Sequence, residues 1–260
     1  IMSALGNAFQ QSTPFGEMST AIGNPFSGVP NAGKLNNTNI TDEQGYTFDI
    51  GTRGRYKKKL SYDVGVFLLS YQDRLGIVLR AVSDIEDERF RGNIGDAITY
   101  GVESFLDWNV WETFSANENF RLNTFVNFAY TESEYIQSQE NNVEGKEVEF
   151  IPKVNLKTGV SFGYKDFLSS LQYTYLSKQF TDATNSPRDL SSQSGVIGEI
   201  PSYDILDFSL SYTYKKFKIE SGINNLLNTN YFTRRATGYP GPGIIPSQPR
   251  TFYALLQFKL

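Results

Sequence analysis

The segment FTRRATGYPGPGIIPSQPR, residues 232–250, places Arg234, Arg235 and Tyr239 on a chain stiffened by Pro240, Pro242 and Pro246. A guanidinium is planar and donates two parallel hydrogen bonds, which fits it to carboxylates better than the point charge of a lysine. Other arginines can converge on the same task. Arg74, Arg80, Arg89 and Arg91 occupy a second long connection, and Arg188 a third. Together they describe non-covalent capture of an anion rich in carboxylates. Two plainer roles stand beside that one: contact with an anionic surface outside the protein, and pairing with the nearby Asp84, Glu86, Asp87 and Glu88.

Covalent chemistry has little to work with. The 260 residues contain no Cys and no His, so there is no thiolate or imidazole for zinc, for haem or for a His-dependent nucleophile. No catalytic residue, resident metal or cofactor is expected. GYPGPG neither follows a buried strand nor opens a helix, which sets it apart from a phosphate loop. The carboxylate pairs Glu132/Glu134 and Glu147/Glu149 sit in or beside loops, where they are expected to be solvated charge. The net charge of −4 comes without a basic block, which argues against nucleic acid as a partner.

The elements that must position these residues are written in period two. DFSLSYTYKKFKIESGI (207–223) alternates apolar and polar side chains, turns at a lysine pair, and alternates again. That is the pattern of β-strands with unlike faces. It recurs at 46–56, 60–71, 97–108, 121–130, 154–164, 167–180 and 251–260, with a weakly patterned first strand near Met2–Gln10. Strands of about ten residues suit a tilted bilayer crossing, against about 5–6 in ordinary sheets. The connections alternate in length. Short ones lie at Lys57–Lys59, Glu112–Asn119, Lys165–Asp166 and Lys215–Lys216; long ones at 11–43, 72–96, 131–153, 181–203 and 228–250. Within the strand spans, Asp49, Arg53, Asp63, Glu103, Asp107, Lys157 and the other charges all fall on the polar parity. Arg53, Arg55 and Arg121 are therefore assigned to a lumen, paired with carboxylates of the wall or of whatever fills the lumen. The expectation is an all-β, transmembrane antiparallel β-barrel, with a mean hydropathy of −0.37 that hides its lipid face.

Several blocks carry a resemblance: EQGYTFDIGTRGRY, GVESFLDW, FTDATN (180–185) leading to GEIPSYDILDFSLSY, and above all NNLLNTNYFTRR…QPRTFY (224–253). Over Gly6–Leu260 the chain resembles the C-terminal half of a TonB-dependent outer-membrane receptor, of the ferric-dicitrate-receptor-like branch. The resemblance implies about ten C-terminal strands of a plugged barrel of roughly 22. On that reading residues 1–260 are the C-terminal part of the barrel, and the plug, the early strands and the energy-coupling motif lie outside this chain. No leader is expected in IMSALGNAFQQSTPFGE, and the ending Phe258-Lys259-Leu260 departs from the terminal aromatic of such barrels.

The implied activity is import of an iron chelate, ferric-dicitrate or siderophore-like, with the ferric chelate as transported ligand and TonB-coupled energy. The implied partners are the TonB–ExbB–ExbD complex, acting through the absent N-terminal region, outer-membrane lipid and lipopolysaccharide, and a surface lipoprotein. Long loops are expected outside the cell and short turns in the periplasm. The substrate-binding residues are then Arg234, Arg235, Tyr239, Arg188, Arg89 and Arg91. The alternatives are a receptor for oligosaccharide, peptide or cobalamin, and a passive porin or adhesin barrel.

Overall fold

In the computed structural model of the protein the described residues are 41–57, 59–83, 86–187, 195–236 and 243–259, with side chains described outside 79–91. They form eleven strands and one short helix: β1 (Gln44–Tyr56), β2 (Leu60–Ser83), β3 (Glu86–Asn109), α1 (Val110–Phe114), β4 (Phe120–Ser138), β5 (Val154–Tyr164), β6 (Phe167–Leu176), β7 (Tyr203–Tyr214), β8 (Phe217–Asn224), β9 (Phe232–Ala236), β10 (Gly243–Pro246) and β11 (Thr251–Phe258). Nine of them make one antiparallel sheet in the order β1-β2-β3-β4-β5-β6-β7-β8-β11, while β9 and β10 pair separately. The sheet is open, with β1 and β11 as its edges. The expected strand near Met2–Gln10 lies outside the described residues.

Register carries the period-two pattern across the whole sheet. Ile50 faces Val66, Val66 faces Val102, and Val102 faces Tyr130. Farther along, Val160 faces Leu171, Leu171 faces Phe208, Phe208 faces Ile223, and Ile223 faces Phe252. One face is thus a continuous apolar band, and it stays bare: Ile50 is 63% exposed, Val66 46%, Val160 42% and Phe252 72%. A soluble sheet would have to cover such a band, because exposed apolar patches of that extent are rare in water. The opposite face is concave and polar. Asp49, Arg53, Asp63, Glu103, Asn127 and Asn155 line a hollow of about 730 Å³ on it.

The strands run past their expected ends on one side only. The segment 72–96, expected as a loop, is instead a ribbon in which β2 and β3 pair from Arg74–Gly95 to Ser83–Glu86. Likewise β4 continues to Ser138, and the loop 228–250 contains the β9–β10 hairpin. β6 goes the other way, ending at Leu176, after which only Gln179 bridges to Ile200. At the opposite end the turns stay short, and the Glu112–Asn119 region holds α1, capped by Asn109 Oδ1 accepting from Glu112 N at 3.1 Å.

Adjacent residues of β6 separate the two faces. Leu171→Lys, in the apolar band, should cost roughly 2–4 kcal/mol of folding free energy in lipid vesicles, and Gln172→Lys, on the polar face, less than about 1. Denaturant titration of both variants checks this, and equal losses would refute the assignment of faces.

Candidate functional site

The long connections share the end of the sheet reached by the tops of β2 and β4 and the starts of β5 and β7. A register shift at Tyr71–Leu75 bends the ribbon there. Asn93 Nδ2 donates to Asp73 O at 2.6 Å and to Thr41 O at 3.0 Å, and Leu75 N donates to Glu43 Oε2 at 2.8 Å. Above the bend, Val78 and Ile94 of the ribbon meet Tyr135 of β4, Val143 and Val148 of the β4–β5 connection, and Ala183 of the β6–β7 connection. These residues are a closed core at most 1% exposed, built by three separate connections. Burying such side chains supplies about 25 cal/mol per Å² of apolar surface.

A polar contact is locked into that core. Glu149, 5% exposed, accepts from Tyr135 Oη at 2.8 Å and from Ile77 N at 3.3 Å, and lies 3.8 Å from Arg74 Nη1. The expectation that Glu147/Glu149 is solvated charge is therefore corrected for Glu149. Burial pushes the Tyr135 hydroxyl well above its ordinary range, and the Glu149 carboxylate pushes it further. A Cβ on Gly76 would meet Tyr135 Oη at 2.6 Å and Glu149 Oε1 at 2.8 Å, so only glycine leaves the pair room. The sequence signal for Glu149 was its setting in VEFIP, an acid flanked by Val148, Phe150 and Ile151.

The FTDATN segment ties the connections together. Ala183 N donates to Ile77 O at 2.6 Å. Asn185 receives Glu147 N on Oδ1 and returns Nδ2 to Glu147 O, both at 2.8 Å. Asp182 Oδ1 gathers Thr184 N at 3.1 Å and Ser186 N at 3.3 Å, along with both hydroxyls. Nearby, Lys153 Nζ lies 3.0 Å from both Glu132 and Glu147. Hydrogen bonds to Glu132 and Glu147 raise the Lys153 ammonium to about 12. The Tyr130 hydroxyl and then Lys153 lower Glu132.

The arginine pair divides its labour. In β9, Arg235 is 9% exposed. Its guanidinium donates Nη1 to Gly195 O at 2.6 Å, and Nη2 and Nε to Glu199 O at 2.7 and 3.1 Å, with its Cζ 5.0 Å from the Phe232 ring centre. The fork thus binds the 195–199 segment to the β9–β10 hairpin. Arg234, next along β9 and opposite Ile245, is exposed. Arg89 and Arg91 stand in the ribbon strand β3, facing Leu79 and Ile77 in register. Arg188 and Tyr239 lie outside the described residues. Of the lumen-assigned arginines, Arg53 faces Asp63 in register, Arg55 Nε donates to Ser61 Oγ at 3.1 Å, and Arg121 Nη2 donates to Lys165 O at 2.7 Å. Among the described residues no cluster of acids could hold a metal ion.

An antiparallel wall with one bare apolar face, one polar face and one end of ordered, interlocked connections is the architecture of a transmembrane β-barrel wall. The family model of the TonB-dependent receptor-like β-barrel matches residues 4–226, so the chain belongs to the TonB-dependent receptor family, whose members are outer-membrane transporters coupled to the TonB system and not enzymes. Its fold is similar to that of the ferric citrate transporter FecA in the unliganded form, with 22% identity, a TM-score of 0.67, and coverage of 84% of this chain and 31% of that one. It is similar also to the copper transporter OprC, at 16% identity and TM-score 0.61 over 84% of this chain and 31% of that one. The ferric yersiniabactin uptake receptor FyuA of Yersinia pestis matches at 18% and 0.63, over 84% and 30%. The chain spans under a third of the length of these neighbours.

Two measurements test this end of the sheet. Glu149→Ala strips Tyr135 Oη and Ile77 N of their acceptor, a loss of about 1–3 kcal/mol. Hydrogen exchange at Ile77 should quicken by roughly 10–100-fold while that of Leu171 stays unchanged. The Lys153 cluster has a defined pH window. Glu132, lowered in the folded state, stabilises it above the ordinary carboxylate range and loses that effect as pH falls through its lowered value. Lys153, raised, stabilises it below the ordinary lysine range and loses that effect as pH rises through about 12. Local exchange of residues 146–153 should be flat from roughly pH 5 to 10 once corrected for intrinsic rates, and should rise at both extremes.

Proposed function

We propose that the chain is part of an active-transport receptor that binds an iron chelate of the carboxylate type, ferric-dicitrate or siderophore-like, and imports it with TonB-coupled energy. The carrying observation is Arg234, an exposed guanidinium on a β9–β10 hairpin that Arg235 fixes to the 195–199 segment. A donor on a pre-ordered frame binds an anion without spending binding energy on ordering a loop. On this reading the long connections face the outside of the cell and the short turns the periplasm. Energy arrives from TonB–ExbB–ExbD through regions of the receptor other than this chain. Arg89, Arg91, Arg188 and Tyr239 complete the anion site, and lipopolysaccharide or a surface lipoprotein meets the outer loops. Two structural neighbours, a ferric citrate transporter and a ferric yersiniabactin uptake receptor, favour iron chelates over sugars, peptides or cobalamin.

Calorimetry on the complete receptor, titrated with ferric dicitrate, iron-free citrate and a neutral oligosaccharide, tests the reading. Ferric dicitrate should bind, and Arg234→Ala should weaken it by roughly 10-fold, the loss of one charge-assisted contact, without lowering outer-membrane abundance. Arg235→Ala should instead speed exchange in 195–199. Binding of the oligosaccharide alone would overturn the chelate assignment. Unchanged affinity in Arg234→Ala would overturn the site.

A further inference from the structure

The short-turn end repeats one feature that neither the wall nor the anion site uses. Three strands end in the same dipeptide: Tyr56-Lys57, Tyr164-Lys165 and Tyr214-Lys215. In each the tyrosine is on the apolar parity, facing Leu60, Phe167 and Phe217 respectively. Each lysine then turns left-handed, with φ of 47°, 50° and 53°. Residues with a Cβ take that region at a cost, and Asn or Gly would suit such turns better. Each lysine also folds back over the ring it follows, with Nζ to ring-centre distances of 5.2, 5.4 and 5.3 Å. Aromatic contacts continue the band between these turns: Phe120 against Tyr164 at 4.6 Å, Trp111 against Phe120 at 5.1 Å, and Phe217 against Phe258 at 5.0 Å.

The geometry fixes where the charge sits. A lysine extended from a turn would carry its ammonium away from the bilayer into water. Folded over an outward tyrosine, it holds the ammonium at the depth of the aromatic band and on the lipid side of the wall. A cation over a ring still has its N–H donors for an anionic oxygen. The charge balance of this end agrees. Segments 57–59, 110–119 and 165–166, with 215–216 and Lys259, hold seven lysines and three carboxylates, in a chain where 28 acids outnumber 24 bases.

We propose that the three Tyr–Lys turns form a cationic belt that binds the phosphodiester headgroups of anionic phospholipid, of the phosphatidylglycerol class, in the leaflet beside the short turns. The partner follows from charge sign, from the depth of the ammonium groups, and from continuity with the apolar band. Lipopolysaccharide phosphate offers the same chemistry from the opposite leaflet. The assignment to phospholipid therefore rests on the reading that short turns face the periplasm.

The complete receptor, reconstituted with spin-labelled phosphatidylglycerol or phosphatidylcholine, provides the test. The unaltered protein should prefer phosphatidylglycerol by roughly threefold at low salt, with the preference shrinking as salt rises. Replacing Lys57, Lys165 and Lys215 together by Gln should bring the ratio near one, and replacing them by Arg should keep it. A preference unchanged in the Gln variant overturns the belt. So does a variant that loses membrane abundance while keeping the preference, which would place the lysines in assembly. Asp166→Cys labelled in intact cells by a membrane-impermeant maleimide decides the orientation separately. Labelling only after permeabilisation upholds the periplasmic reading, whereas labelling from outside overturns it and the phospholipid assignment with it.

Discussion

Hydrocarbon offers no partner to a peptide N–H or C=O, so a chain that crosses a bilayer as strands must satisfy each polar group from its neighbour. That constraint orders everything else in this protein. It forces long, fully registered pairs such as Gln44–Tyr56 against Leu60–Gln72. It excludes bulges from the crossing itself, and the shifts gather at Tyr71–Leu75, Asp96–Ala97 and Ala81–Ser83, above the apolar band. It also leaves the side chains to answer to two solvents at once. Hence Leu171 and Gln172, adjacent in one strand, belong to opposite faces and share no environment.

Beyond the band the same hydrogen bonding continues under a different rule. The β2–β3 ribbon still pairs, but it lies past the apolar band, where the pressure toward alternation is gone. LGIVL (75–79) is apolar on both parities, and EDERFRG (86–92) is charged on both. Period two marks strands only where the two faces have unlike solvents, so the pattern ends at residue 71 and resumes at 97. The ribbon is held by a core instead, with Val78 and Ile94 closed over by Tyr135, Val143, Val148 and Ala183. Those partners are separated in sequence by up to about a hundred residues, and no local pattern announces their meeting.

The same distinction explains which parts of the long-connection end are legible in the sequence. The FTDATN block is legible as part of the family resemblance, and its bonds are structural: backbone-like bonds from Asn185 to Glu147 and a carboxylate, Asp182, that closes its own turn. Glu149 was hidden by its twin. Glu147 and Glu149 are two apart, one against Lys153 and Asn185 at the surface, the other buried with Tyr135. Spacing alone treats the pair as equivalent. Burial separates them, and burial is decided by which connection folds over which.

Period two also constrains what an arginine pair can do. Arg234 and Arg235 are consecutive in β9, so their side chains leave opposite faces of the hairpin. One of them turns inward and spends its fork on the carbonyls of Gly195 and Glu199. The other, placed opposite Ile245, is left at the surface. A single arginine in either position would give an anchored hairpin without a second guanidinium, or an exposed guanidinium on a hairpin that lacks the bonds to Gly195 and Glu199. The dipeptide divides the two roles because the strand points its residues apart, and the anchor orders the backbone that carries the exposed arginine.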